Sequence, residues 1–186
     1  MGSLVCALII LGDGFEEIEV VAPADILLRA GVSVKFASVD SSNAVRGAHC
    51  IVVQADGPLG NFSPKDFGAI VIPGGPAVGA LRKNGAVKKF VAEALSAGKL
   101  MCAICAAPSL LKDLGALDGH NFTAYPGCVE GSDKNCAVVR SGQIVTGRDP
   151  GSAVQFGLAI VDQMVGSATA DSVASAIGAK RQLPGE

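Results

Sequence analysis

At 186 residues, 49% of them hydrophobic, the chain is long enough to bury one substantial core. A net charge of −2, one Tyr and no Trp supply neither the basic surface nor the stacking aromatics that nucleic-acid binding uses, so no nucleic-acid partner is expected. Apolar runs such as residues 4–11 are far shorter than the roughly 18 residues of a spanning helix, and no basic-then-apolar leader opens the sequence, so no membrane association and a cytoplasmic location are expected.

Leu4–Leu11, bounded by Gly12, fits a strand buried on both faces. Ile18, Val21, Ala22 and Ile26 then recur at helical spacing, which predicts a helix over Glu16–Ala30 that opens on acids and stops at Gly31. Val32–Val39 reads as a second strand, and Val45–Val53, with Gly47 inside it, as a bulged strand or a small hairpin. "DFGAIVIPGG" (66–75) is a third core strand ending in glycines, followed by an amphipathic helix over Ala86–Ala97. Leu100–Ile104 is another apolar strand, and Ala106–Leu114 continues as a helix to Gly115. Cys136–Arg140 and Gln143–Thr146 flank "SG", a hairpin signal, and helices over 152–166 and Ala170–Ile177 complete the pattern. Strands alternating with helices predict an α/β, flavodoxin-like three-layer sandwich with a mostly parallel central sheet, whose ligands lie beyond the carboxyl ends of the strands. One domain over residues 1–180 is expected, with 181–186 as a disordered tail or expression remnant.

The six cysteines lie in a large apolar chain that needs no staples, so reduced thiols are expected. A single CxxC with His49 and His120 far apart gives no metal site, and no cofactor is expected. Cys102 and Cys105 stand about 10 Å apart on an extended strand at ~3.3 Å per residue, beyond the reach of a disulfide. Cys102 reads as a buried core residue. Cys105 ends the strand and precedes "AAPSLLKDLG", where small Ala106 and Ala107 permit an abrupt reversal, the pattern of a nucleophile elbow. There the positive end of the following helix is expected to favour thiolate over thiol.

"GDGFEE" (12–17) lacks the third glycine of a dinucleotide loop and places Glu16 and Glu17 where a pyrophosphate would lie. "GGPAVGA" (74–80) lacks the Lys and Ser/Thr of a phosphate loop. It is expected to be a loop with special backbone angles, or one whose amides near Gly74 and Gly75 point at a developing oxyanion. Glu19, among Ile18, Val20, Val21 and Ala22, has little solvated surface, whereas Glu17 is expected to point elsewhere. A buried carboxyl beside a thiolate tends to hold its proton, so sulfur and carboxyl would titrate as a coupled pair. The alternative is an exposed first-turn Glu favoured by the helix dipole.

"GDGFEEIEVVAPADILLRAGVSV", "AIVIPGG", "AICAAPSLL", "AYPG" and "PGSAVQFGLAIV" follow the order and spacing of the ThiJ/PfpI superfamily over about residues 4–178. The chain resembles the branch that contains the parkinsonism-associated protein deglycase. The resemblance implies a homodimer with Cys105 as nucleophile, Glu19 as a protonated acid hydrogen-bonded to its sulfur, and Gly74 and Gly75 as the oxyanion region. Ala106, Tyr125 and His49 complete the implied substrate-binding set. His49 matches a position that approaches the neighbouring subunit's active centre in family dimers.

Three departures accompany the likeness. Ala106 stands where protease-like relatives carry His, Tyr125 where the deglycase has His, and Asp149 where relatives often have Gly. The implied activity is cofactor-free conversion of methylglyoxal or glyoxal, small α-oxoaldehydes, to hydroxy acids, or removal of early glycation adducts from glycated protein or nucleotides. A redox sensor or chaperone switched by oxidation of Cys105 is the alternative. A thiazole monophosphate biosynthesis-type protein is the weaker one.

Overall fold

A computed structural model of the chain describes residues 6–40 and 42–181. Leu4 and Val5 of the first expected strand and 182–186 of the expected tail lie outside the described residues. The main sheet has seven strands: β1 (Cys6–Leu11), β2 (Ser33–Ser38), β5 (Gly57–Pro58), β6 (Ala69–Ile72), β7 (Leu100–Ile104), β8 (Val138–Ser141) and β9 (Ile144–Gly147). Their order is β5-β2-β1-β6-β7-β9-β8, and every pairing is parallel except that of β8 with β9.

Side chains alternate between two buried faces, which explains why β1, β6 and β7 are almost continuously apolar. Ile9, Leu11, Val71, Cys102 and Ile104 pack against α1 (Glu17–Arg29), α5 (Ala153–Val165) and α6 (Ser167–Ala176). Leu8, Ile10, Ile70, Ile72, Met101 and Ala103 pack against α2 (Val78–Leu81), α3 (Gly85–Ser96) and α4 (Pro108–Asp113). The result is the expected flavodoxin-like sandwich. The chain leaves β1 for β2 and β5 on one side, then returns to β6 on the other, so the strand order reverses beside β1. A crevice at the carboxyl ends of β1 and β6 is where such sheets bind ligands.

Of the two readings of residues 45–53, the hairpin is correct: β3 (Ala44–Arg46) pairs antiparallel with β4 (Val52–Gln54). Its tip folds back onto the entrance of α1, with Gly14 N–H donating to the Arg46 carbonyl at 2.7 Å and Ala48 N–H to that of Phe15 at 2.9 Å. The expected loop after Gly75 instead turns into α2 within three residues. The helix expected from Ala106 begins at Pro108, because Cys105 is left-handed and residues 105–107 form the turn. Arg181, expected in a tail, is held by Asp162 at 2.8 Å and Asp171 at 2.6 Å.

Candidate active site

The register of β7 against β9 sets Ile104 opposite Gly147, and the next amide, that of Cys105, donates to the Gly147 carbonyl at 2.9 Å. Cys105 then turns at φ +63°. A side chain with a Cβ pays on the order of 1–2 kcal/mol for that conformation. The strain persists because both flanks are fixed: β7 is paired on both edges, and the Cys105 carbonyl accepts from Tyr125 N–H at 2.8 Å. Cys105 as a residue is 8% exposed, and the amides of Ala106 and Gly75 donate to its sulfur.

Glu19 reaches this sulfur from the first turn of α1 and is completely buried. Its Oε2 accepts Gly74 N–H at 2.7 Å. Its Oε1 is buried without a hydrogen-bond partner, and the carboxyl also interacts with the Cys105 thiol.

Burial, reinforced by the charges of Glu16 and Asp149, pushes Glu19 up to about 7 against the lowering influence of the Gly74 amide and the thiol. Burial, followed by the Glu19 charge and hydrogen bond, pushes Cys105 up to about 12, and the amides of Ala106 and Gly75 offset only part of this. The expectation that a helix terminus favours the thiolate is thus corrected. α4 spans six residues and begins three positions beyond the sulfur, too short and too far to outweigh desolvation beside a carboxylate. An ionised sulfur requires that Glu19 hold the proton, because the two anions repel each other out of water.

Glycine is required at two of the neighbouring positions. A Cβ on Gly74 would lie 2.6 Å from Glu19 Oε2 and 2.7 Å from Cys105 Cβ, wedging the pair apart. Gly75 has φ +92°, and a Cβ there would meet Glu16 N and Gly14 O at 2.6 Å. Of the two amides proposed from sequence as oxyanion donors, that of Gly74 is committed to Glu19. The donors at the sulfur are Gly75 and Ala106.

His49 is placed beside Glu17 and Glu16. Its N–H and Nδ1 lie 2.6 and 2.9 Å from the two Glu17 oxygens, and Nδ1 is 3.8 Å from Glu16 Oε1. Glu17, expected to point elsewhere than Glu19, is buried and clasps the hairpin tip. No sequence pattern announced this, because its partner lies 32 residues away. Glu16, Glu17 and His49 could offer ligand atoms within 4.8 Å of one another. The Glu17 oxygens, however, are already occupied by His49, which makes the group a loop clasp. Tyr125 is tied to the elbow through its backbone, while its side chain is half exposed. Cys102 is fully buried and its thiol is pushed far up by desolvation. A roomy depression of about 760 Å³ lined by His120, Asp133, Cys136 and Arg140 lies elsewhere and includes neither Cys105 nor Glu19.

Comparison with known proteins gives a consistent picture. Residues 5–163 match the model of the DJ-1/PfpI family. Protein dj-1beta of Drosophila melanogaster is 32% identical over 178 residues, covering 92% of this chain and 95% of that protein. Its crystal structure superposes with a TM-score of 0.89 at 31% identity, covering 97% of this chain and 100% of that one. The glutathione-independent glyoxalase DJR-1.2 of Caenorhabditis elegans is 31% identical over 179 residues, covering 93% of this chain and 96% of that protein. The structure of oxidized Toxoplasma gondii DJ-1 gives a TM-score of 0.88 at 30% identity, covering 94% of this chain and 98% of that one.

Proposed function

The chain belongs to the DJ-1/PfpI family, and on that footing we propose that it is a cofactor-free, cysteine-dependent glyoxalase acting on methylglyoxal, glyoxal or their early glycation adducts. The observation that carries the reading is a fully buried Glu19 whose carboxyl interacts with the thiol of a residue held in a left-handed elbow. The name of the nematode relative, a glutathione-independent glyoxalase, supports it.

Ionised sulfur attacks the aldehyde carbon of methylglyoxal. A C–S bond forms, the carbonyl electron pair moves to oxygen, and that oxygen takes the proton from Glu19, giving a hemithioacetal. The Gly75 and Ala106 amides, already aimed at the sulfur, donate to the oxygen as charge leaves sulfur for it. Glu19, now a carboxylate, removes the C1 hydrogen as a proton and delivers it to C2 through the enediol, while the hydroxyl proton passes from the C1 oxygen to the C2 oxygen, which converts the hemithioacetal into an isomeric 2-hydroxy thioester. Water cleaves the thioester, releasing lactate and restoring the thiol. The net change is addition of one water, with no oxidant or reductant. A group that titrates near 7 is well matched to giving and taking the same proton at neutral pH.

The test is methylglyoxal consumption with lactate release, without glutathione, by the wild-type protein and by Cys105→Ser. Turnover by the wild type alone supports the reading, and equal inactivity of both removes it.

The same geometry favours a second reading, a redox sensor or chaperone switched at Cys105. A sulfinate there would accept the Glu19 proton in place of the thiolate. Peptide mapping after mild peroxide should find Cys105 modified ahead of the other thiols, and uniform oxidation would remove this reading. A homodimer is part of the proposal. Ile18 and Val21 on α1 and Ile51 and Val52 on the hairpin leave large apolar side chains about half exposed, on segments joined by the Ala48 to Phe15 hydrogen bond.

A further inference from the structure

Glu17 is the buried acid that the reaction above does not use. Residues 14–17 run between the tip of the β3–β4 hairpin and the loop of Gly74 and Gly75. On the hairpin side, Gly14 N–H donates to the Arg46 carbonyl at 2.7 Å, Ala48 N–H to that of Phe15 at 2.9 Å, and Arg46 N–H to Asp13 Oδ1 at 2.9 Å. Glu17 completes this side: Oε1 accepts His49 N–H at 2.6 Å, and Oε2 lies 2.9 Å from His49 Nδ1. The hairpin leaves room for it, because a Cβ on Gly47 would run into the Glu17 carboxylate. On the loop side, Glu16 N–H donates to the Gly74 carbonyl and Ala77 N–H to that of Gly14, both at 3.1 Å. We propose that Glu17 is a positioning residue: by clasping the hairpin tip it fixes the entrance of α1, and with it the carboxyl of Glu19 and the aim of the Gly75 amide at the Cys105 sulfur. This rests on the reading that Cys105 is the reactive atom.

The link is a single peptide unit. The carbonyl of Gly74 and the N–H of Gly75 belong to one planar trans group, so they point in opposite directions and turn together. Glu16 N–H grips the carbonyl end, and the Gly75 end donates to the sulfur. The other polar group of Gly74, its N–H, is held by Glu19 Oε2 at 2.7 Å. Both handles on Gly74 therefore come from the entrance and first turn of α1. Contact is close enough to transmit a shift, since a Cβ on Gly75 would lie 2.6 Å from both Glu16 N and Gly14 O. The entrance of α1 has no side-chain cap of its own, so its anchorage comes from the hairpin. The charged groups at the clasp are Glu17, His49 and Glu16, whose Oε1 is 3.8 Å from His49 Nδ1. Both Glu17 oxygens are taken by His49, so Glu17 acts through these contacts and not on substrate.

The experiment follows iodoacetamide alkylation of Cys105 in the whole protein, read on its own peptide by mass spectrometry so that exposed Cys50 and Cys128 do not interfere, from about pH 5 to about pH 9. Gly47→Ala displaces the Glu17 carboxylate and leaves every charge in place. With the Gly75 donor misaimed, ionised sulfur is less favoured, so the midpoint should move to higher pH by roughly half a unit. In methylglyoxal turnover kcat should fall roughly tenfold, with KM changed less than about twofold. Glu17→Ala should move the midpoint the same way, although loss of a negative charge alone would move it to lower pH. Glu17→Gln, which still accepts from His49 N–H, should stay within about twofold of the wild type in alkylation rate. The proposal is overturned if Gly47→Ala leaves the profile in place, or if Glu17→Ala moves it to lower pH. It is equally overturned if fully buried Cys102 becomes alkylated alongside Cys105, since that marks a loosened fold. If alkylation shifts as stated while even the wild type consumes no methylglyoxal, the glyoxalase reading fails and this one stands.

Discussion

Replacing Glu19 by glutamine should make the protein more stable at alkaline pH and leave little difference at acid pH. A carboxyl whose affinity for its proton is higher in the folded than in the unfolded chain stabilises the fold while protonated, and this advantage is lost as pH rises from the unfolded value toward the folded one. For Glu19 that window runs from its ordinary 4.5 to about 7. Across it the folded protein keeps a proton that the unfolded chain releases, so stability falls by about 1.4 kcal/mol per unit of pH and by about 3 kcal/mol in all. The loss is the same whichever of Glu19 and Cys105 carries the shared proton, because it depends on the number of protons held by the pair. In Glu19→Gln the new side-chain carbonyl would accept from Gly74 N–H, and the amide would not titrate. Any fixed cost of placing its nitrogen beside the sulfur applies equally at every pH. The measurement is urea unfolding of both proteins at acid and at mildly alkaline pH and equal concentration. The stability of the variant relative to the wild type should rise by about 3 kcal/mol between the two conditions, or about 6–12 °C in melting temperature for a chain of this size. A difference that stays constant with pH would refute the reasoning, since it would mean that Glu19 ionises in the folded protein as it does in the unfolded one.

Gly74→Ala places a methyl group 2.6 Å from Glu19 Oε2 and 2.7 Å from Cys105 Cβ. It should cost about 1–3 kcal/mol in urea unfolding and abolish most methylglyoxal turnover, whereas wild-type turnover would show that the pair tolerates separation. Glu17 holds His49 protonated to higher pH than a free imidazole, through its hydrogen bond first and then its charge. The stabilisation from that pair is therefore fully present below the ordinary histidine value of 6.5 and is lost as pH rises through the raised one. His49→Ala should lower the melting temperature more at mildly acid than at mildly alkaline pH, and equal losses would show that the clasp acts through Glu17 and the backbone alone.

The features that the sequence disclosed are those fixed by short-range pattern. Continuous apolar runs announced β1, β6 and β7 because each strand is buried on both faces, and the small Ala106 and Ala107 before Pro108 announced the turn at Cys105. What was not legible depends on neighbours distant in the chain. β5 is two residues long and exists because Ala37 and Ser38 of β2 give it an edge to pair with. The partner of Glu17 was not legible, because the hairpin tip that contacts both of its oxygens comes from 32 residues away. Gly74 was legible as special, but its job was not: its amide serves the acid, and its missing side chain makes room for the pair.

The charge state of the site departs from the helix-terminus expectation for a reason that applies to any elbow thiol. A helix terminus lowers a thiol by a fraction of its partial charge, an influence that falls off within one turn. Burial acts on the whole charge of the sulfur, and a carboxylate in contact adds a full charge of the same sign. Where all three meet, the last two win, and the thiol is pushed up. A thiolate can then exist at neutral pH only as one member of a pair that together keeps one proton. That makes the acid as necessary to the nucleophile as the sulfur itself. It also explains why Glu19 has one oxygen satisfied by a backbone amide and the other left without one. A second amide on that oxygen would lower the acid until it surrendered the proton, and the sulfur would take it.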